Sequence, residues 1–88
     1  KGNVQVIDVR TPEEFSTGRI PGAQLIPVND FFSRVEELPH DCDLIIVCSV
    51  GQRSALACEI AAAVGYTRLY NVEDGTDAWI ANNYPVER

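Results

Sequence analysis

Residues 48–54 read CSVGQRS, and their types and spacing suit thiol chemistry. Cys48 follows the apolar run LIIV and precedes an Ala-rich segment, so a cysteine, a glycine and an arginine share a turn between a strand and a helix. Amide N–H groups at a helix N-terminus have no intrahelical acceptor and can point at an anion. A thiolate held by such amides gains charge-assisted hydrogen bonds and the helix dipole, which lower its pKa and make it nucleophilic near neutral pH. Gly51 lets the backbone curl around the sulfur without a side chain in the way. Arg53 supplies a fixed positive charge, aimed either at the thiolate or at an incoming anion. His40 is the only histidine and lies in a Pro-flanked loop with no spacing that ties it to Cys48, so a cysteine–histidine hydrolase is disfavoured.

The surrounding pattern alternates strand and helix, without repeats or low-complexity segments. VQVIDV (4–9) has the β-branched content of a strand. TPEEFSTG (11–18) is a compact helix: Thr11 caps, Pro12 suits the first helical position, Glu14 completes a Thr-x-x-Glu capping box and Gly18 ends the turn. AQLIPV (23–28) reads as a short strand stopped by Pro27. A second short helix fits 30–38, capped by Asn29, with Phe31, Val35 and Leu38 on one face and Pro39 at its end. LIIVC (44–48) is continuously apolar, as a central parallel strand covered on both faces requires. Residues 54–64 form the longest helix, with Ala57, Ile60, Ala61 and Val64 at helical spacing and Gly65 at its C-terminus. RLYNV (68–72) is the last strand, and Gly75 to Asn82 a short final helix. Strands separated by helices imply an α/β fold with an open parallel sheet and right-handed crossovers. In such sheets ligands bind beyond the carboxyl ends of the strands, which is where Cys48 falls.

Composition narrows the function classes. Eighty-eight residues make one domain with one core. A net charge of −6 gives no basic footprint for direct nucleic-acid or anionic-membrane binding, and no apolar stretch approaches the roughly 18 residues of a spanning helix. The three cysteines, Cys42, Cys48 and Cys58, include no CxxC pair, which argues against a disulfide framework or a zinc site. Cys58 reads as a small buried apolar residue and Cys42 as a loop or strand-edge residue. The cytoplasm is the expected compartment. The net charge leaves an anionic substrate possible, because charges beyond a Debye length of about 8 Å are largely screened and local groups dominate.

Loop length separates two chemistries. Cysteine-dependent phosphatases and related arsenate reductases use Cys-x5-Arg, a loop that wraps a tetrahedral oxyanion. Here the spacing is Cys48-x4-Arg53, one residue shorter. The tighter cradle has less room for a phosphoryl group and suits a single extra sulfur about 2.05 Å from the cysteine sulfur.

Nearly the whole chain resembles a rhodanese domain of the single-domain type. The resemblance rests on VIDVRTPEEF (6–15), GRIPGA (18–23), IIVCSVGQRSA (45–55), LYNVEDGTDAW (69–79) and YPVE (84–87), in matching order and spacing. It implies a rhodanese-like sheet of about four to five strands flanked by helices on both faces. It also implies a sulfurtransferase of the thiosulfate sulfurtransferase type. A cysteine takes a sulfane sulfur from a small anionic donor such as thiosulfate, holds it as a covalent persulfide without any cofactor, and passes it to cyanide or a protein thiol. On this resemblance Cys48 forms the persulfide, while Ser49, Val50, Gly51, Gln52, Arg53 and Ser54 form the cradle. Asp8 and Arg10 match an Asp-x-Arg pair that supports the rim, with Arg10 expected to pair with Glu14. Arg19 stands where the family usually carries histidine, at a structural position. Asp74-Gly75 replaces the family's usual Gly-Gly, where Asp74 caps the final helix and also places a carboxylate on the rim, disfavouring an anionic donor. Only Lys1, Gly2 and Asn3 precede the strand VQVIDV where the family has a further helix and edge strand. The chain therefore reads as one domain over 1–88 with that edge element short or absent, either a minimal domain or one cut from a longer chain, which leaves a sheet edge less protected.

Transfer between separate donor and acceptor predicts a shallow, exposed site at Cys48. The competing reading is a binding or regulatory module in which Cys48 is incidental.

Overall fold

A computed structural model describes residues 4–49, 51–72, 75–82 and 84–87 of the chain. Of the residues singled out above, Val50 and Asp74 lie outside the described residues, as do Lys1 to Asn3.

Four strands, β1 (Val4–Asp8), β2 (Gln24–Leu25), β3 (Asp43–Val47) and β4 (Leu69–Asn71), form one parallel sheet in the order β2-β1-β3-β4. Asp8 lies opposite Val47 in the β1–β3 register, so both central strands end at the same level. The chain leaves β1 for one side of the sheet and re-enters as β3 on the other. The crevice between the ends of β1 and β3 is therefore the switch point, where open α/β sheets bind ligands. Cys48 and Val9-Arg10 are the residues that leave the two strands there.

Helix α1 (Pro12–Ser16) carries the expected capping box in full: Thr11 accepts from the Glu14 amide, and Glu14 accepts from the Thr11 amide. Helix α2 (Val28–Arg34) continues as a 3-10 turn over Val35–Glu37. Its cap is Pro27 and not Asn29, with no side-chain hydrogen bond. Instead the Pro27 carbonyl accepts from the Asp30 amide at 2.9 Å, so the helix begins two residues early. The expected apolar face holds, with Phe31, Val35 and Leu38 all buried. Helix α3 (Gln52–Ala63) also starts earlier than its periodicity suggests, because Gly51 turns the chain at φ +94°. Ala57 and Ala61 of its predicted face are buried, Ile60 packs against the core at its edge, and Val64 is exposed. Helix α4 (Gly75–Ala81) closes the order.

The core gathers Ile7, Val9, Ile26, Phe31, Leu44 and Ile46 between the sheet and the α2–α3 layer. Cys42 is buried within it and Cys58 is half-buried against it, where loss of solvent pushes the Cys58 thiol pKa up. Arg19 is structural, as expected. Its backbone bridges that of Glu87 at 3.0 and 2.8 Å, and its guanidinium lies 4.5 Å from the Phe15 ring centroid, which pins the C-terminal segment. His40 stacks on Tyr66 with ring centroids 3.8 Å apart.

Candidate active site

Cys48 follows the last residue of β3 and is 1% exposed. The Gly51 amide donates to its Sγ at 3.0 Å and the Ser54 amide at 3.4 Å. Ser54 is the third residue of α3, so its amide is one of those the helix leaves unpaired. The Ser54 hydroxyl lies 3.4 Å from the same sulfur. Cys48 is therefore buried where an exposed site is expected, with the Gly51 and Ser54 amides and the Ser54 hydroxyl packed against its sulfur.

Ser54 in turn donates its hydroxyl proton to Asn71 Oδ1, and Asn71 Nδ2 donates to the Gly51 carbonyl at 3.4 Å. Asn71, the last residue of β4, was invisible as a site residue because it reads as an ordinary strand end. Helix α4 holds the other side of the turn. The Thr76 amide donates to the Cys48 carbonyl at 2.7 Å and the Asp77 amide to the Ser49 carbonyl at 3.1 Å. Gly75 permits this approach. It sits at φ +71°, and an added Cβ would strike the Ser49 carbonyl and lie 2.5 Å from the Cys48 oxygen.

Arg53 is not aimed primarily at the sulfur. It grips Glu14 through Nη1–Oε1 at 2.8 Å and Nη2–Oε2 at 3.0 Å. Its Nη2 also donates to Ser49 Oγ at 3.3 Å, and Ser49 Oγ donates to Glu14 Oε2 at 3.2 Å. Hydrogen bonding to Glu14 is the main reason the Arg53 pKa is raised, with smaller Coulombic help from Cys48 and Asp8. Glu14 responds oppositely: its carboxyl pKa falls to about 2, chiefly through the Arg53 hydrogen bond and then the Thr11 amide. Gln52 is exposed at the start of α3 with its side chain toward solvent.

The expected Arg10–Glu14 pair does not form. Arg10 folds back on Asp8, two residues earlier, with Nε–Oδ1 at 3.0 Å and Nη2–Oδ2 at 2.9 Å, and Nη2 also donates to the Gly18 carbonyl at 2.8 Å. Both residues are buried, at 3% and 0% exposure, while the Glu14 carboxylate is already held by Thr11, Ser49 and Arg53. Asp8 and Arg10 therefore brace the floor beneath the rim and do not line it.

The comparisons with known proteins agree with this architecture. The family described as Rhodanese-like domain matches residues 1–82. A sulfurtransferase of Allochromatium vinosum is 37% identical over 84 residues, covering 96% of this chain and 78% of the relative. The thiosulfate sulfurtransferase GlpE of Pseudomonas putida is 29% identical, covering 99% and 78%. The crystal structure of a rhodanese-related protein from Thermoplasma volcanium superposes with a TM-score of 0.90 at 33% identity, covering 97% of this chain and 84% of that one.

Proposed function

The chain belongs to the rhodanese-like family, and from that premise we propose that it is a sulfurtransferase carrying a sulfane sulfur on Cys48. The observation that carries this reading is the pair of amides, Gly51 and Ser54, directed at the Cys48 sulfur. They favour the ionised sulfur and leave it poised as a nucleophile.

The thiolate attacks the outer sulfur of a donor such as thiosulfate. A Cys48–S bond forms, the donor S–S bond breaks and sulfite departs with the bonding electron pair. The persulfide then gives that sulfur to a nucleophile, cyanide or a protein thiol, and the Cys48 thiolate returns. No cofactor enters the cycle. A four-residue gap between Cys48 and Arg53 suits one added sulfur better than a phosphoryl group.

Burial of Cys48 to 1% exposure favours a second reading, a binding module in which the thiol is only packed. Incubation with thiosulfate followed by intact-mass measurement separates the two. The transferase gains the mass of one sulfur, the Cys48→Ser variant gains none, and cyanide releases the sulfur as thiocyanate. A wild-type protein that gains no sulfur from any donor, yet binds a partner equally well with and without Cys48, would be the module.

A further inference from the structure

The cation nearest the reactive loop is already answered by an anion. Arg53 is held through both prongs by Glu14, and Ser49, the residue after Cys48, bonds to both partners. The pair is thus one side chain removed from the sulfur-bearing residue. Cys48 is covered, whereas Arg53 and Glu14 keep 34% and 37% of their side chains exposed. A donor approaching that side from solvent meets the ion pair before it meets the sulfur. The other arginine of the site, Arg10, is neutralised beneath the rim by Asp8. A doubly charged donor therefore finds a carboxylate beside the guanidinium, on a chain of net charge −6.

Resting on the sulfur-transfer reading above, we propose that Glu14 is a specificity-determining residue that disfavours doubly charged sulfane donors relative to singly charged ones of the same chemistry. Thiosulfate carries two negative charges, and methanethiosulfonate carries one. Each offers an outer sulfur to the Cys48 thiolate. The new S–S bond forms as the old one breaks, and sulfite or methanesulfinate leaves with the electron pair. The two donors differ in charge at the group that faces the rim, so their ratio reports electrostatics there and is insensitive to a general loss of nucleophilicity.

The test measures kcat/KM for both donors, with cyanide as acceptor, in wild type, Glu14→Gln and Glu59→Gln. Glutamine serves in a capping box as glutamate does, so the first variant removes charge while keeping the Thr11 contacts. Glu59 is exposed on α3, and its substitution makes the same change in net charge away from the site. In Glu14→Gln the thiosulfate value rises about tenfold and the methanethiosulfonate value about threefold, since a single charge acts twice as strongly on a dianion. Glu59→Gln leaves the donor ratio unchanged. An unchanged ratio in Glu14→Gln, or one shifted toward methanethiosulfonate, overturns the proposal while leaving sulfur transfer intact. A wild type that takes sulfur from neither donor overturns the transferase reading and this proposal together.

Discussion

Glu14 and Arg53 lie 39 residues apart in the chain and meet in a two-pronged ion pair at 2.8 and 3.0 Å. Glu14 simultaneously completes the capping box of α1, so one carboxylate fastens a helix start to the turn that follows Cys48. The pair has the fork geometry that makes arginine–carboxylate contacts directional.

That geometry sets a pH dependence. The Glu14 carboxyl is lowered from the usual 4.5 to about 2 in the folded protein. A depressed folded pKa stabilises the fold fully above the unfolded value, and the contribution is lost as pH falls from about 4.5 through about 2. Both side chains are about one-third exposed, so solvent screening holds the contribution to about 1 kcal/mol or less. Urea denaturation should find Glu14→Gln less stable than wild type by that amount near neutral pH, with the gap closing progressively as the pH falls from about 4.5 through about 2. A gap that persists in acid would mean that Glu14 acts through packing and not through its charge.

The buried pair beneath the rim behaves differently. Arg10→Met leaves the Asp8 carboxylate buried with the loss of its guanidinium, at an expected cost of about 3–5 kcal/mol. For a domain of about 5–15 kcal/mol total stability this is a large share. Replacing both residues together, Asp8→Leu with Arg10→Met, should cost less than Arg10→Met alone, because no buried charge remains unpaired. Chemical denaturation of the single and double variants checks the order, and a double variant less stable than the single would contradict it.

These two pairs also mark where sequence reading stops. The Thr11–Glu14 box, the strand before Cys48 and the helix after Gly51 were legible because each is local: a few adjacent residues dictate the hydrogen bonds. The buried positions Phe31, Val35 and Leu38 were legible from spacing for the same reason. Which arginine takes Glu14 was not. That choice depends on the order β2-β1-β3-β4, which brings the loop after β3 beside the helix after β1. Arg10, meanwhile, is turned inward onto Asp8. Asn71 was hidden likewise, since its contacts to Ser54 and Gly51 arise only once β4 lies next to β3. The burial of Cys48 was not legible either, because the Gly51 and Ser54 groups that meet its sulfur do so only in the folded turn.

Gly75 should tolerate no side chain. Its φ of +71° is unfavourable for any other residue, and a Cβ would collide with the Ser49 carbonyl that α4 binds. The clash is with backbone, so relief requires moving either α4 or the peptides after Cys48. Gly75→Ala is expected to lose about 2–4 kcal/mol of stability and at least tenfold in sulfur loading. Urea denaturation together with the initial rate of mass gain from thiosulfate measures both. Retention of wild-type loading at reduced stability would show that the α4 contact supports the fold and not the reactive geometry.

On the sulfur-transfer reading, Ser54 and Asn71 should affect sulfur loading differently. With the Ser54 proton committed to Asn71 Oδ1, the hydroxyl oxygen at 3.4 Å can only accept from the Cys48 thiol. To support the thiolate it must turn that proton onto the sulfur and give up Asn71. Asn71→Ala removes the competing acceptor and leaves the hydroxyl available to the sulfur. Ser54→Ala removes the hydroxyl altogether and strands the Asn71 oxygen. Asn71→Ala breaks two hydrogen bonds, to the Ser54 hydroxyl and to the Gly51 carbonyl, and Ser54→Ala removes the hydroxyl's contacts to Asn71 and Cys48, so each variant should lose about 1–3 kcal/mol of stability. Sulfur loading at saturating donor should then fall about tenfold in Ser54→Ala, the size of one hydrogen bond to a charged group, and hold steady or rise up to about threefold in Asn71→Ala. Similar losses in both variants would mean that Asn71 positions the loop through Gly51 and does not compete for the proton. The two rates, compared at matched folded fraction, therefore separate placement of the loop from control of the hydroxyl.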